Sequence, residues 1–451
     1  MNNMKLSEVA HILGAELSGK DEKFTSISTD SRVLHVGELF IAMKGEYFNA
    51  HEFINQAKAL GAVAAIVSEN VATDLPTILV PDTRLALGNL AAYLRNKQPI
   101  PLYAITGSCG KTTTKTMLAS ILSHRGSVLA NQGTFNNDIG VPLTLLQQKS
   151  EHRYAVIEMG ANHFGEIEYL TKIACPDIAT VINVGAAHLE GFGDLAGVAR
   201  AKGEIFQGLG RDGIAIINAE DTFAEYFFSL VGKRRSITFG FKPTADIWGE
   251  SITLDRTGHP SFLLHIREES CSVKLPTVGV HNISNALAAA AMAYASDTDI
   301  ETIKKGLEDM QPVAKRMIWR EGCHGAQIID DSYNANPTAT EAALQVLAKM
   351  PGEQIFAFGG MAELGQHAEQ EHIRVGQIAR EIGIQQLYAI GPFSHLTVSS
   401  FGQGGRFFDN KKELIVSLQE QLHPAVTVLI KGSRSSRMEE VVTALTITER
   451  K

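Results

Sequence analysis

The feature that most constrains the fold is the stretch from residue 102 to 125, "LYAITGSCGKTTTKTMLASILSHR". It begins with a short apolar run, turns sharply between Gly107 and Gly110, and continues with helical apolar spacing. A strand, a glycine turn and a helix in this order form a phosphate-binding loop, because backbone N–H groups and the helix dipole face an anion there. The sequence therefore predicts a parallel α/β sheet carrying a nucleotide site.

The loop is shorter than the usual G-x-x-x-x-G-K-[ST] pattern, because Ile105 stands where the first glycine would be. We expect Lys111 to reach the β- and γ-phosphates of ATP and the Thr112 hydroxyl to face Mg²⁺. A glycine turn with a surface lysine is the simpler alternative. Cys109 is interpreted as a small filler residue or as a thiol activated by the helix N-terminus. The expected nucleotide-binding residues of the loop are Gly107, Ser108, Cys109, Gly110, Lys111, Thr112 and Thr113.

The chain has 451 residues, which is too long for one hydrophobic core. Strand-like and helix-like runs alternate in three blocks, which we place at residues 1–82, 83–313 and 314–451. In the second block the pattern becomes antiparallel between about 236 and 278, with a turn at "DRTGHP". We predict an α/β protein with a small N-terminal domain, a central doubly wound P-loop domain and a C-terminal Rossmann-like domain.

Charge and cysteine usage exclude several classes of function. The formal net charge of -8 disfavours a nucleic-acid or anionic-membrane surface, which would need a basic footprint. No run of about 18 apolar residues occurs, so membrane insertion is not expected. The four cysteines are widely spaced, without metal-ligand rhythm, and we expect reduced thiols in a cytoplasmic protein.

Two polar residues follow consecutive strand candidates in the central block. Glu158 ends "RYAVIEM", and His188 follows "IATVINV". Because ligands gather at the carboxyl ends of strands in an open α/β sheet, both side chains should face the phosphate loop, where a hard cation could bind. Each taken singly also fits a turn carboxylate or a helix-capping histidine, and both interpretations stay open.

A lysine interrupts the apolar stripe of the segment "DLAGVARAKGEIFQGL". The stripe has helical steps of three and four residues and consists of Leu195, Val198, Ile205 and Leu209, with Lys202 at the vacant step. Lys202 should therefore point inward, either snorkelling at the edge of the core or as a desolvated amine with a depressed pKa. A neutral amine of this kind can react with CO₂ to form a carbamate, an anion suited to a metal.

Taken together, "TGSCGKTT", the Glu158 and His188 motifs, "RAKGEIF" and "HNISNA" resemble the Mur ligases over essentially the whole length. This resemblance implies an ATP-dependent amide ligase with an acyl-phosphate intermediate and two Mg²⁺ ions. It implies Lys111, Glu158, His188 and a carbamylated Lys202 as catalytic groups, and Thr112, Glu158, His188 and Lys202 at the metals.

The first and last blocks narrow the position within that family. "STDSRVLHVGELFIAMKGEYFNAHEFI" resembles the UDP-binding first domain of the two later ligases, and "DDSYNANPTATEAAL" with "VLIKGSRSSRMEEVV" is similar to the last of the series. The implied small-molecule substrates are UDP-N-acetylmuramoyl-tripeptide and D-alanyl-D-alanine, used by a monomer. Folylpolyglutamate synthetase is the nearest alternative, and a P-loop switch without ligase chemistry is an alternative of another class.

The resemblance also implies binding roles residue by residue. The UDP end would contact Thr29, Ser31 and Arg32, and the muramoyl-peptide would contact Asn136 and Asn137. Adenine would contact Asn282 and Asn285, the ATP phosphates would contact Arg316, and the ribose would contact Asp331. The dipeptide and carboxylate region would contact Asn334, Asn336, Lys431, Ser433 and Arg434. Three positions depart from the family pattern: Thr134 replaces a frequent Asn, Gly360 replaces an Asp and so receives no role, and the glycine usual before Arg316 is missing.

Overall fold

The computed structural model describes residues 4–133 and 135–447 and contains three sheets, one after another along the chain. The first has five strands in the order β1-β5-β4-β3-β2, in which β1 is antiparallel to β5 and the other pairs are parallel. The apolar runs "ELFIAM", "AVAAIVS" and "TILVP" contain β3, β4 and β5. The elements are α1 Leu6–Leu13, β1 Leu17–Ser18, β2 Ile27–Ser28, β3 Leu39–Ile41, a 3₁₀ helix Ala50–Phe53, α2 Ile54–Ala59, β4 Ala64–Val67 and β5 Thr77–Leu79.

The helix α3, Thr83–Lys97, leads into the central sheet, whose nine strands have the order β14-β13-β12-β11-β10-β9-β6-β8-β7. The strands are β6 Leu102–Thr106, β7 Ser127–Ala130, β8 His152–Glu158, β9 Ile178–Val181, β10 Ile214–Asn218, β11 Arg235–Gly240, β12 Ile247–Leu254, β13 Pro260–Ile266 and β14 Glu269–Lys274. The helices are α4 Lys111–Ser123, α5 Gly140–Leu146, α6 Glu166–Ala174, α7 Leu189–Phe192, α8 Leu195–Gly203, α9 Ala224–Val231, α10 His281–Tyr294 and α11 Ile300–Asp309. From β7 to β12 neighbouring strands are parallel. The predicted antiparallel region is confirmed for β12, β13 and β14, but its expected start near residue 236 is wrong, because β11 pairs parallel with both of its neighbours.

The C-terminal sheet has six strands in the order β15-β16-β20-β17-β18-β19, of which only the β15–β16 pair is antiparallel among the described strands. Its elements are β15 Ile318–Glu321, β16 Gln327–Asp331, α12 Pro337–Leu347, β17 Glu353–Phe358, α13 Ala368–Glu381, β18 Gln386–Ile390, α14 Ser394–Phe401, β19 Gly405–Phe408, α15 Lys411–Gln419, β20 Val426–Lys431 and α16 Glu439–Leu445. The predicted α/β alternation of the third block is therefore confirmed.

Helices cover both faces of the central sheet, so its strands are apolar on both sides. On one face α4 packs against α10 and α11, and on the other α3 packs against α5 and α6. The helix α3 also contacts α1 of the N-terminal domain, which joins the two domains through one buried surface. The start of α3 is fixed by Asp82, whose side chain accepts hydrogen bonds from the N–H groups of Arg84 and Leu85.

The strand order creates a crevice at the carboxyl ends of β6 and β8. The chain leaves β6 toward β7 at the sheet edge, whereas it leaves β8 toward β9 on the other side of β6. Such a change of direction opens a ligand crevice in doubly wound sheets. Glu158, the last residue of β8, pairs in register with Ile105, so its carboxylate is placed beside the loop that follows β6. The expectation that Glu158 and the phosphate loop share one edge is confirmed.

Candidate functional site

A cavity of about 490 Å³ lies between the central and C-terminal domains. It brings together most of the residues expected at the site. Those that line it are Ser108, Cys109, Gly110, Lys111, Thr113, Asn136, Asn137, Glu158, His188, Asn282, Asn285, Arg316, Asp331, Asn334, Asn336 and Lys431. Those that do not are Thr29, Ser31, Arg32, Gly107, Thr112, Lys202, Ser433 and Arg434. Thr134 lies outside the described residues.

The phosphate loop has the strand, turn and helix that its sequence predicted. Gly110 has φ +81°, and a Cβ there would lie 2.1 Å from Asn285 Oδ1, so only glycine fits. Lys111 folds back over the loop and donates from Nζ to the Gly107 carbonyl at 2.7 Å. Desolvation lowers the pKa of Lys111. The Lys111 ammonium is desolvated and donates to a neutral carbonyl, so an approaching phosphate would stabilise its positive charge.

Asn183 holds the loop in this shape, and sequence reasoning missed it. Its backbone carbonyl accepts from Ser108 N at 3.1 Å. Its side chain makes two further bonds, accepting from Cys109 N at 2.9 Å and donating to the Cys109 carbonyl at 3.1 Å. An amide can make both bonds because it carries a donor and an acceptor. The available signal was a polar residue inside the apolar run "IATVINV".

The Glu158 carboxylate is buried between two partners from different segments. Asn136 Nδ2 donates to Oε1 at 2.8 Å, and Lys115 Nζ lies 3.4 Å from Oε2. Lys115 is buried on α4 and also donates to the carbonyls of Asn131 and Gly133, at 2.8 and 3.1 Å. Desolvation lowers the Lys115 pKa, and the Glu158 charge opposes that effect. Lys115 was not predicted, because a lysine in a helix is usually a solvated residue.

The donor set around the cavity fits a cation held partly by phosphates. Glu158 Oε2 is buried, and its neighbour within the described residues is the Lys115 ammonium at 3.4 Å, so this hard oxygen would share its charge between Lys115 and an ion. Across residues 4–133 and 135–447, no group of three His, Cys, Asp or Glu side chains forms a ready-made cage. A Mg²⁺ ion here would therefore take most of its ligands from phosphate oxygens and water, as this ion commonly does.

His188 faces a carboxylate of the other domain. Its backbone is left-handed, with φ +55°, and its Nδ1 lies 2.6 Å from Glu363 Oε2. The His188 imidazole at this distance lowers the pKa of the Glu363 carboxyl, although partial burial opposes the effect. Glu363 belongs to the segment "FAFGGMAELG". Sequence reasoning considered only Gly360 in this segment, assigned it no role, and did not identify Glu363.

Lys202 is buried in the fold, with a side chain that is 1% exposed. The stripe is confirmed at Val198, Ile205 and Leu209, but it is wrong at Leu195, which is 46% exposed. Leu195 is the first residue of α8, directly after the N-cap Asp194, where the helix projects toward solvent. Desolvation and then the Lys111 charge lower the Lys202 pKa well below its ordinary value, which favours the neutral amine.

Arg316 connects the C-terminal domain with the phosphate loop. Its guanidinium donates from Nη2 to Thr112 Oγ1 at 3.1 Å and lies 4.3 Å from the centre of the Tyr333 ring. Stacking on an aromatic face keeps the charge while fixing its direction. Sequence reasoning found Arg316 but missed Tyr333, which stands in the "DDSYNANP" motif.

The two asparagines assigned to adenine are buried next to one another on α10. Asn285 Nδ2 donates to Asn282 Oδ1 at 2.9 Å, and Asn282 Nδ2 donates to the Val278 carbonyl at 2.8 Å. Sequence reasoning missed His281, which also lines the cavity. Burial lowers the pKa of His281 and so favours a neutral imidazole. Each of these three side chains keeps polar capacity for a nucleotide.

Lys431 is buried in the C-terminal sheet. It is the last residue of β20, is 2% exposed, and forms a buried ion pair with Asp331. Its Nζ also donates to the Asn334 carbonyl at 3.0 Å. A short 3₁₀ turn begins at Arg434, beyond the end of the strand.

The remaining C-terminal candidates surround that pair. Asn336 caps α12 by accepting from Ala339 N at 2.8 Å, and its Oδ1 lies 3.4 Å from Cys109 Sγ, so it links the two domains. Ser433 N donates to the Gly360 carbonyl at 2.8 Å. Gly360 has φ +72°, a left-handed conformation that glycine adopts at no steric cost. Arg434 is exposed and pairs with Glu439.

The three candidates for the UDP end lie in the N-terminal domain. Arg32 is exposed and makes two hydrogen bonds to Asp30, Nε to Oδ1 at 2.9 Å and Nη2 to Oδ2 at 2.7 Å. These bonds from Arg32 lower the pKa of Asp30 to about 2. Ser31 is buried and Thr29 is half-buried.

Three family models match the chain in order. They are "Mur ligase family, catalytic domain" over residues 23–95, "Mur ligase middle domain" over 105–293 and "Mur ligase, glutamate ligase domain" over 315–434. With these matches and a full-length relative at 45% identity, the chain belongs to the Mur ligase family. It is an α/β ligase of three domains, as the resemblance implied.

The individual relatives point to one branch of that family. The chain is 45% identical to the UDP-N-acetylmuramoyl-tripeptide--D-alanyl-D-alanine ligase of Escherichia coli K12 over 450 residues, 99% of each chain. The solved MurF of Acinetobacter baumannii is 36% identical and superposes with a TM-score of 0.92, covering 98% of this chain and 99% of its own. The MurF ligase of Thermotoga maritima in complex with ADP is 27% identical, with a TM-score of 0.84 and coverage of 93% and 96%.

Proposed function

We propose that this chain joins D-alanyl-D-alanine to UDP-N-acetylmuramoyl-tripeptide and forms ADP and phosphate. The observation that carries the proposal is the cavity in which Lys111 and Glu158 of the central domain meet Arg316 of the C-terminal domain. The full-length similarity to ligases named for this reaction selects these substrates. Folylpolyglutamate synthetase is not favoured, because the ligases named for D-alanyl-D-alanine match this chain over its full length, including the N-terminal domain.

The reaction follows from a carboxylate that must be activated before an amine can attack it. The terminal carboxylate of the tripeptide attacks the γ-phosphorus of ATP, and the bond between that phosphorus and ADP breaks. The amine of the dipeptide then attacks the acyl carbon, loses a proton, and the tetrahedral intermediate expels phosphate. Such transfers depend mainly on positioning and charge stabilisation.

The residues divide these tasks. Lys111 and the N–H groups of the loop would hold the β- and γ-phosphates, and Arg316 would neutralise charge from the opposite side. Asn282 and Asn285 would hold adenine, and Asp331 would hold the ribose. Thr112, Glu158 and His188 would hold Mg²⁺, which supplies charge neutralisation of the phosphates when bound.

The proposal gives Lys202 a role at the second metal ion. Within the described residues its buried amine has no carboxylate partner, and it lies beside the Lys111 charge. It is suited to carbamylation, because a carbamate would turn the repulsion between the two amines into an attraction. The carbamate would then face the second Mg²⁺. Asn136 and Asn137 would bind the muramoyl-peptide, Thr29, Ser31 and Arg32 the UDP end, and Asn334, Asn336, Lys431, Ser433 and Arg434 the dipeptide side.

Several expectations belong to the same proposal. We keep 1–82, 83–313 and 314–451 as the domain boundaries and a monomer as the working unit. We place the reaction in the cytoplasm, where nucleotide-linked precursors and ATP occur together. Within the described residues, no helix is both long and apolar enough to cross a bilayer.

Phosphate release tests the proposal. The enzyme is mixed with ATP, Mg²⁺, D-alanyl-D-alanine and UDP-N-acetylmuramoyl-tripeptide carrying either meso-diaminopimelate or lysine at position three. We expect phosphate with at least one tripeptide and none when the dipeptide is omitted. Phosphate with folate and glutamate, and none with either tripeptide, would replace the proposed reaction by the folate alternative.

A further inference from the structure

The loop between β17 and α13 contacts the central domain around α7. The backbone N–H of Glu190 donates to the Glu363 carbonyl at 3.2 Å, and His367 Nε2 lies 3.1 Å from the Gly193 carbonyl. Between these two contacts, Glu363 Oε2 lies 2.6 Å from His188 Nδ1. We call these residues, 363–367 and 188–193, the interdomain contact. It joins the two domains at one of the candidate catalytic side chains.

The backbone of both partners is fixed in an uncommon conformation. Glu363 has φ +62° and His188 has φ +55°. Non-glycine residues avoid this region, at a cost of about 1–2 kcal/mol each, so such conformations persist only where the surroundings determine them. The His188 ring also makes an edge contact with Phe192, with centroids 6.4 Å apart. The imidazole is therefore held on one side by Phe192 and on the other by Glu363.

The contact determines which ring nitrogen of His188 is available. Glu363 Oε2 lies 2.6 Å from Nδ1 as a charge contact without the alignment of a hydrogen bond, and its negative charge favours a proton on Nδ1, which leaves a lone pair on Nε2. A histidine that must accept a proton or bind a cation through Nε2 needs this arrangement. His188 lines the nucleotide cavity, whereas Glu363 does not.

We propose that Glu363 is a positioning residue for His188, supplied by the C-terminal domain. It orients the imidazole so that Nε2 is presented to the nucleotide cavity when the two domains are in contact. The arrangement of the central-domain site would thus depend on domain closure, because the orienting carboxylate arrives with the other domain. The expected fall in kcat rests on the proposed function, whereas the expected effect on the imidazole tautomer of His188 does not.

Two variants and a matched control test this proposal. Glu363→Ala removes the carboxylate, and Glu363→Gln keeps an oxygen acceptor of the same length. Glu341→Gln is the control, because Glu341 is also a partly exposed carboxylate of the C-terminal domain, paired with Arg374 at 3.1 Å, and is not among the residues that line the cavity. The full-length enzyme is ¹⁵N-labelled at histidine, and His188 is assigned by comparison with His188→Asn.

The first readout is the ¹⁵N spectrum of the imidazole without nucleotide. We expect Nδ1–H in the wild type and in Glu341→Gln, the same tautomer at reduced population in Glu363→Gln, and a shift toward Nε2–H in Glu363→Ala. The second readout is the rate of phosphate release. We expect kcat to fall about 10–100-fold in Glu363→Ala, the range for lost orienting partners, with partial recovery in Glu363→Gln and an unchanged KM for the dipeptide.

Either of two results would overturn the proposal. One is a His188 tautomer in Glu363→Ala that matches the control. The other is a loss of kcat without a tautomer change, which would make Glu363 merely structural. If the wild type itself releases no phosphate, the proposed function fails, whereas the spectra still decide whether Glu363 orients His188.

Discussion

Replacing Lys115 by Met removes the cation that accompanies the buried Glu158 carboxylate. The two side chains are 6% and 2% exposed, so water cannot replace the lost charge. Removing one partner of a buried ion pair typically costs about 3–5 kcal/mol, because the other charge stays buried. Two hydrogen bonds to the carbonyls of Asn131 and Gly133 are lost as well. Met preserves most of the stem, so the loss reports the ammonium rather than a cavity.

The matched control is Lys172→Met. Lys172 is 70% exposed and pairs with Glu168 one helical turn away. Exposed pairs of this type contribute about 0.3–0.5 kcal/mol, which makes the expected difference between the variants roughly 3 kcal/mol. For a domain of 150–250 residues, that corresponds to a melting temperature lower by about 6–12 °C.

Two measurements check the Lys115 prediction. Thermal unfolding followed by circular dichroism gives the difference in midpoint between Lys115→Met and Lys172→Met. Hydrogen exchange followed by mass spectrometry reports the local effect, because the N–H of Glu158 donates to Asn131 Oδ1 at 2.7 Å and should lose protection. The double variant Lys115→Met with Glu158→Gln should recover part of the loss, since no buried charge remains. Equal midpoints and equal exchange in the two single variants would refute the reasoning.

Three further substitutions have defined outcomes. Burial raises the pKa of Tyr103 to about 12, with its hydroxyl donating to Ser296, so stability is full below pH 10 and is lost as pH rises toward 12. Denaturant titrations should show that the wild type loses about 3 kcal/mol more across that window than Tyr103→Phe does, since Tyr169, whose pKa burial also raises, remains in both. Gly110→Ala should abolish ADP binding in calorimetry, because its Cβ would lie 2.1 Å from Asn285 Oδ1; normal binding would contradict the loop geometry. Lys202→Ala should stop ligation and regain part of it with a short carboxylic acid, whereas an unimpaired variant would exclude the carbamate.

Local patterns were sufficient for the parts of the site that one segment builds. The phosphate loop was predictable because its strand, turn and helix are contiguous. The place of Glu158 followed from the rule that strand ends share an edge. Helical periodicity was sufficient to predict that Lys202 points inward. The prediction that Leu195 is buried was wrong, because periodicity does not tell where a helix begins to leave the core.

Long-range contacts decided the parts that sequence reasoning missed. Lys115 lies on a helix like any solvated lysine until β8 and the loop after β7 enclose it. Glu363 acquires its contact with His188 only through the packing of two domains. Lys431 meets Asp331 only because β16 and β20 are neighbours in the sheet. Short-range patterns carry no information about such partners.

The proposed reaction requires that a peptide carboxylate takes the γ-phosphoryl group of ATP before the amine attacks. The most direct measurement uses UDP-N-acetylmuramoyl-tripeptide labelled with ¹⁸O in its terminal carboxylate, with ATP and D-alanyl-D-alanine. The acyl-phosphate route predicts one ¹⁸O atom in each phosphate released, detected by mass spectrometry together with the peptide product. Ligated product accompanied by unlabelled phosphate would contradict it.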